Sequence, residues 1–132
     1  MAIILDTDVV IRGEKGTFDL RGWLTSHASE EIEIAAITVA ELWHGVERAS
    51  DDHRPRRQAY LETVFTILPV IAYTDEIARE HARIWAELET AGKMTGYYDL
   101  IVAATARQRG SQLATFNRRH FEQIRGLNLV VL

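Results

Sequence analysis

Short runs rich in β-branched residues alternate along the chain with longer stretches of helical period, the pattern of strands joined by helical crossovers and so of a parallel sheet. Ala2-Ile-Ile-Leu5 is the first strand and Ile32-Glu-Ile-Ala-Ala-Ile37 the second, with Thr38 following as the expected helix N-cap. Arg54 to Leu68 reads as a helix, with Asp52 as a nearby cap, Pro55 in the first turn, where its missing N–H costs nothing, and Pro69 as the stop. Val70-Ile71 is a short strand. Thr74 and Asp75 then open a helix whose Ile77, His81, Ile84, Trp85 and Leu88 recur on one face, and Gly92 ends it. The helix from Tyr97 to Arg109, closed by Gly110, is apolar over most of its circumference, which predicts a central, largely buried position. Gln112–Thr115 is a strand, Arg118–Ile124 a short helix and Leu127–Leu132 the closing strand. No repeat, linker or low-complexity stretch interrupts this order, so residues 1–132 are expected to form one α/β layer domain with a central parallel sheet.

Composition narrows the class. Hydrophobic residues at 47% and charged residues at 26%, with only 8 Gly and 2 Pro, describe a globule with a real core and exclude disordered or collagen-like chains. The absence of cysteine removes disulfides, thiol catalysis and thiolate metal sites, and suits the reducing cytoplasm that is the expected location. Met1–Leu5 meets Asp6 at once, far short of a signal peptide or of the roughly 20 residues of a spanning helix, so no membrane association is expected. With 15 Lys+Arg against 19 Asp+Glu the formal charge is −4, which excludes a protein that holds nucleic acid chiefly by neutralising phosphates.

The placement of the acids matters more than their number. Asp6 ends the first strand, with Asp8 two residues on; Glu41 lies in the first turn of the helix after the second strand; Asp99 is also in a helical first turn, and Asn117 sits just beyond the strand Gln112–Thr115. In a parallel sheet, helix N-termini share an edge with strand C-termini, so these groups converge where open α/β folds place their sites. Each has a structural explanation too. Thr38-x-x-Glu41 fits a capping box, Asp6 a strand end, Asp99 a helix dipole and Asn117 an Asx-turn. Jointly these explanations leave three carboxylates at one edge, with no Lys or Arg adjoining Asp6 or Glu41 in sequence. Such a cluster is relieved by protonation or by a bound cation. Oxygen ligands suit Mg²⁺ or Mn²⁺, and the reaction class that follows is metal-assisted phosphodiester hydrolysis.

Four segments in register resemble the PIN-domain ribonucleases, and most closely the toxins of VapBC-type toxin–antitoxin pairs. They are Ile4-Leu-Asp6-Thr-Asp8-Val, Ala36-Ile-Thr38-Val-Ala-Glu41-Leu-Trp-His-Gly45, Gly96-Tyr-Tyr-Asp99-Leu-Ile-Val-Ala-Ala-Thr-Ala106, and Leu113-Ala-Thr115-Phe-Asn117-Arg-Arg-His-Phe121 with Ile124-Arg-Gly-Leu127. The resemblance implies a three-layer α/β/α domain, an Mg²⁺- or Mn²⁺-dependent endoribonuclease and a cognate small antitoxin. Its expected assemblies are a homodimer and a larger toxin–antitoxin complex, and structured stable RNAs, transfer RNA among them, are the expected substrates. It places Asp6, Glu41 and Asp99 at the acidic metal positions and Asn117 at a fourth, where some members have Asp and others Asn. This lowers the local charge and favours a single Mg²⁺. Asp8 stands where Asn is more usual.

Further residues near the same edge are candidates for substrate. The Thr7, Thr38 and Thr115 hydroxyls could orient water or phosphate; Arg118, with Arg119 and His120, could meet RNA phosphates. His44 forms Glu-x-x-His with Glu41, but no second such motif completes a carboxylate-bridged iron site, so it reads as surface or interface. Arg54, Arg56 and Arg57 read as an exposed helical face, and Trp43, Trp85, Tyr97 and Tyr98 serve equally for packing, base stacking or a partner. Two other enzyme or signalling readings compete. Asp6-Thr-Asp8 also opens haloacid-dehalogenase-type phosphatases, but those need a downstream Lys and a further acidic pair, and the only lysines here are Lys15 and Lys93. A receiver module would want an acceptor Asp at the end of a middle strand and a late Lys, and a PIN-like domain that binds without cutting is left open by Asn117.

Overall fold

In the computed structural model, which describes residues 1–132, Ile3, Ile4 and Leu5 are all buried, the signature of a strand covered on both faces. This first strand, β1 (Ala2–Leu5), is the middle of a five-stranded parallel sheet. Along the chain follow α1 (Thr7–Lys15), α2 (Leu20–Ser26), β2 (Glu31–Ala35), α3 (Ala36–Arg48), α4 (Arg54–Ile67), β3 (Val70–Ile71), α5 (Asp75–Thr90), α6 (Tyr97–Arg109), β4 (Gln112–Ala114), α7 (Arg118–Glu122) and β5 (Leu129–Val130). The strand order is β3-β2-β1-β4-β5. Leu5 is in register with Ile34 on one side and Ala114 on the other, so the C-terminal ends of β1, β2 and β4 lie level.

Alternation along the strands separates two cores. Ile3, Leu5, Ile34 and Ala114 face α1 to α4, where Val9, Val10, Leu42, Val46 and Leu61 meet them. Ile4, Ala35 and Leu113 face α5, α6 and α7, meeting Ile77, Ile84, Val102, Ala103 and Phe121. The result is the three-layer α/β/α arrangement that the resemblance implies, around the parallel sheet expected from the pattern. Val102, Ala103, Ala104 and Ala106 are wholly buried, so α6 is the central helix its composition predicts, and its alanines let α5 pack closely. Gly110, at φ 66°, closes α6 in the left-handed conformation that glycine adopts without strain. No helix is long and apolar enough to cross a membrane.

Strand order decides where a site can form. The chain steps from β1 outward to β2 and β3, then crosses back over to β4 and β5 on the other side of β1. The connections therefore diverge between β1 and β4, and the crevice above their C-terminal ends is the switch point of the fold.

Several element ends differ from the pattern, for one reason. The ladders stop at Leu5↔Ile34, Ala35↔Ile71 and Leu5↔Ala114, and beyond them β-branched residues have no partner strand. So Ile37 and Thr38 enter α3 instead of extending β2, Thr115 lies outside β4, and β5 is held to the two residues facing Leu113 and Ala114. Thr38 is consequently not an N-cap: Ala35 holds that position without a side-chain bond, the Thr38-x-x-Glu41 capping box does not form, and Glu41 lies in the second turn. Asp52 does not cap α4, whose N-cap is His53, and α7 stops at Glu122. Thr74 does cap α5, accepting from the Ile77 amide at 3.2 Å. Of the α5 face, Ile77, Ile84 and Leu88 are buried but Trp85 is 43% exposed, stacked near His81. Two helices have no counterpart in the hydrophobic pattern: the Val9-Val10-Ile11 run in α1 disfavours helix locally, and α1 and α2 are set by the caps Asp6 and Asp19 and by packing on the sheet.

Arg107 ties the α5–α6 layer together. Its guanidinium donates to Glu80 at 3.2 Å, to Glu87 at 2.9 Å and to the Arg125 carbonyl at 3.1 Å, with the Arg107 and Glu80 side chains only 14% and 15% exposed. Hydrogen bonding from Arg107, more than the added bond from Arg83, holds the Glu80 carboxyl below the usual range. Arg107→Ala is expected to lower stability by about 2 kcal/mol, since it strands a mostly buried carboxylate. Because the Glu80 pKa is depressed on folding, that contribution is complete above pH 4.5 and is lost as pH falls through the folded-state value. Urea midpoints of the two proteins should therefore differ at pH 7 and draw together as pH falls below 4.5.

Candidate active site

At the switch point the chain leaves β1 through Asp6, whose side chain caps α1 and is 95% buried as a residue, at 5% exposure. One Asp6 oxygen accepts from the Thr7 amide at 2.8 Å, and the other accepts from the Thr115 hydroxyl at 2.8 Å. Thr115 in turn accepts from the Asn117 amide at 2.9 Å, so the segment after β4 is fastened to the end of β1. Asp8, in the first turn of α1, fastens it a second time by accepting from the Phe116 amide at 3.1 Å through Oδ2. Its Oδ1 is buried and has no partner.

Glu41 reaches the site from α3 and accepts from the Thr7 hydroxyl at 2.6 Å. The Thr38 hydroxyl, wholly buried, lies 3.1 Å from that of Thr7. Because the single Thr7 proton goes to the carboxylate, Thr38 donates to Thr7. All three threonines expected at this edge are thus in it, but as buried fasteners of the carboxylates and not as free hydroxyls for substrate.

Asp99, in the first turn of α6, completes the rim. Its Oδ2 is 3.0 Å from Nδ1 of His120, and the Asn117 side-chain amide is 2.8 Å from the same ring nitrogen. One proton arrangement serves both: Nδ1 carries hydrogen toward Asp99, and the Asn117 amide turns its oxygen to the ring. Asn117 therefore bears on Asp99 through His120, a residue that the sequence offers only as a phosphate contact. Arg118 is turned away, with Nε 3.5 Å from Glu122 and Nη1 3.5 Å from the Val130 carbonyl. His44 is exposed on α3, and Trp43 packs near Phe65 at 6.1 Å between ring centres.

The electrostatics are those of a cluster lacking a cation. No Lys or Arg forms an ion pair with Asp6, Asp8, Glu41 or Asp99; His120 is the one basic partner. Burial first, then the neighbouring Asp8, pushes the Asp6 carboxyl up from 3.8 to about 7. Burial also raises Asp8 and Glu41, with the Thr7 hydrogen bond opposing it at Glu41. Oxygen donors, an unpartnered buried carboxylate oxygen and uncompensated charge fit a hard divalent cation. No three acidic or imidazole groups close into a cage. The carboxylates are near enough for their charges to act on one another, and a cation held among them would keep water and share its shell with a phosphate.

The PIN domain family matches residues 3–127. The chain is a member of that family. Within it, this PIN domain is 30% identical over 133 residues to Ribonuclease VapC1 of Rickettsia felis, covering 100% of this chain and 97% of the relative. It is 33% identical over 94 residues to the tRNA(fMet)-specific endonuclease VapC of Shigella flexneri, covering 71% and 70%. Among solved structures, the DNA-bound VapBC of Salmonella typhimurium superposes with a TM-score of 0.91 at 30% identity, covering 98% of this chain and 97% of that one. The VapC resemblance drawn from the four sequence segments is borne out across the chain.

The raised Asp6 carboxyl makes a prediction of sign. A carboxyl whose pKa rises on folding costs stability progressively as pH rises from the unfolded value, 3.8, through the folded one, about 7. The full displacement corresponds to about 4 kcal/mol at most. In EDTA, Asp6→Asn is expected to be more stable than the wild type at about pH 8, with the advantage shrinking steadily toward about pH 4. Chemical denaturation across that range checks it, and an advantage independent of pH contradicts it.

Proposed function

We propose that this VapC-family PIN domain is an endoribonuclease and the toxin of a type II toxin–antitoxin pair, with Mg²⁺ as its cation and Mn²⁺ able to replace it. The observation that carries the reading is the buried Asp6 carboxylate with the part-buried Asp8, Glu41 and Asp99 around it at the β1/β4 switch point, none of them paired with a Lys or Arg, in a chain whose relatives are named ribonucleases. Asp6 and Asp99 would hold the cation directly, and Glu41 would ligate it or position the attacking water. A divalent cation there supplies positive charge to the phosphoryl oxygens and acidity to water.

The remaining roles belong to the chain. Thr7 and Thr115 keep Glu41 and Asp6 in fixed orientations, so little reorganisation accompanies the reaction. Asn117 aligns His120 against Asp99 and leaves that wall of the site less negative than an acid at 117 would. Attack in line on the phosphodiester gives two fragments without a covalent enzyme intermediate. Asp6 has no lysine near it to support an aspartyl-phosphate route, since Lys15 and Lys93 make no contact with the cluster. The partner would be a small antitoxin protein, as the VapBC complexes that share this fold suggest, with a toxin homodimer inside the larger assembly. Structured stable RNA, including transfer RNA, is the proposed substrate class, in keeping with the Shigella relative.

Purified wild-type protein should cleave RNA with Mg²⁺ and be inert in EDTA. Asp6→Ala and Asp99→Asn should each lose about 100-fold or more in rate, and neither should arrest growth when expressed without an antitoxin. Equal cleavage by all three proteins, or cleavage in EDTA, overturns the assignment.

A further inference from the structure

We propose that Arg12 is a phosphate-binding residue of this site, gripping an RNA backbone phosphate next to the one that is cut; the proposal rests on the ribonuclease reading above. Arg12 lies in the last turn of α1, one turn beyond Asp8 on the same face. That spacing invites an Asp8–Arg12 ion pair, and none forms. One Asp8 oxygen accepts from the Phe116 amide and the other is buried without a partner, while the guanidinium lies over the Phe116 ring, 4.2 Å from its centre.

Phe116 stands between Thr115, which holds Asp6, and Asn117, which meets His120. The ring is itself steadied by an edge contact from Phe18, with centres 5.1 Å apart. Arg12 is therefore seated on the loop that carries two site residues by a cation–π contact. Its side chain is exposed and makes no hydrogen bond within the protein, so its donors are free for a ligand, and the planar fork of a guanidinium matches two phosphate oxygens. Its charge is also the one from a Lys or Arg that registers on a cluster carboxyl, opposing the effect of burial on Asp8. Arg118, one of the arginines that the sequence nominates, is turned to Glu122 and Val130.

A cation near a helix C-terminus also complements the dipole, but that role needs no aromatic seat and is open equally to Lys15, in the same turn. The two explanations separate experimentally. Binding of a fluorescein-labelled single-stranded RNA is followed by anisotropy in EDTA across a range of salt concentrations, and cleavage kinetics are measured with Mg²⁺. For Arg12→Gln the expected results are about 3- to 10-fold weaker binding, a salt slope shallower by about 0.7, and a raised KM with kcat nearly unchanged. Arg12→Lys should restore the slope but only part of the affinity, because it returns the charge without the fork. Phe116→Leu should weaken binding less than Arg12→Gln, and Lys15→Gln should leave slope and KM as in the wild type. Thermal midpoints of Arg12→Gln and wild type should coincide. If wild type cleaves RNA and Arg12→Gln matches it in KM and slope, the proposal fails while the ribonuclease reading stands. An equal loss in Lys15→Gln also overturns it, since net charge would then be the cause. A wild type that neither binds nor cleaves RNA removes both.

Discussion

A carboxylate buried at the end of the central strand is the constraint around which the rest of this structure is arranged. Asp6 sits where β1 and β4 diverge, deprived of solvent and facing Asp8 and Asp99. Folding a chain around such a group is costly unless its oxygens are satisfied. Thr7 and Thr115 satisfy them, and each is drawn in turn toward a second partner: Thr7 toward Glu41, Thr115 toward the Asn117 amide. One unfavourable charge thereby organises residues from β1, α1, α3 and the segment after β4. What the protein loses in stability at this point leaves a concentration of negative charge at the sheet edge.

The sheet supplies the rigidity this requires. With Leu5 level with Ile34 and Ala114, and both faces covered by apolar cores, the strand ends cannot drift relative to one another. Asp99 enters on α6, whose buried alanine-rich body packs on the second face and brings its N-terminus to the same edge. The Arg107 cluster joins α6 to α5 on the outer side of that layer, far along the helix from Asp99. Charge is thus treated in opposite ways at the two places. Glu80 and Glu87 are matched by a guanidinium, whereas the carboxylates at the switch point are left without one.

Much of this is legible in the chain itself. Parallel topology dictates which ends of strands and helices meet, which puts Asp6, Glu41, Asp99 and Asn117 at one edge, and the all-round apolarity of α6 makes it central. The element ends were less legible, because strand length depends on the partner's length. Ile37 and Thr38 have strand-like side chains, yet the ladder that would hold them stops two residues earlier. Thr38 therefore changed from a capping residue into a buried link beside Thr7, and with it the structural explanation for Glu41 disappeared. Helices α1 and α2 were invisible to periodicity because their formation depends on caps and tertiary packing more than on local preference.

By itself the sequence determined the layer architecture, the family and the identity of the four polar groups at the sheet edge, since these follow from periodicity and from motifs whose order is fixed in one dimension. Tertiary structure decided which of those groups touch. That His120, and not Asn117, contacts Asp99; that the threonines are bound to carboxylates and not to solvent; and that Arg12 is seated on Phe116 while Arg118 turns away are all outcomes of side-chain competition among elements distant in sequence. Hydrogen-bonding groups choose partners by distance and desolvation in three dimensions, and no spacing along the chain records that choice.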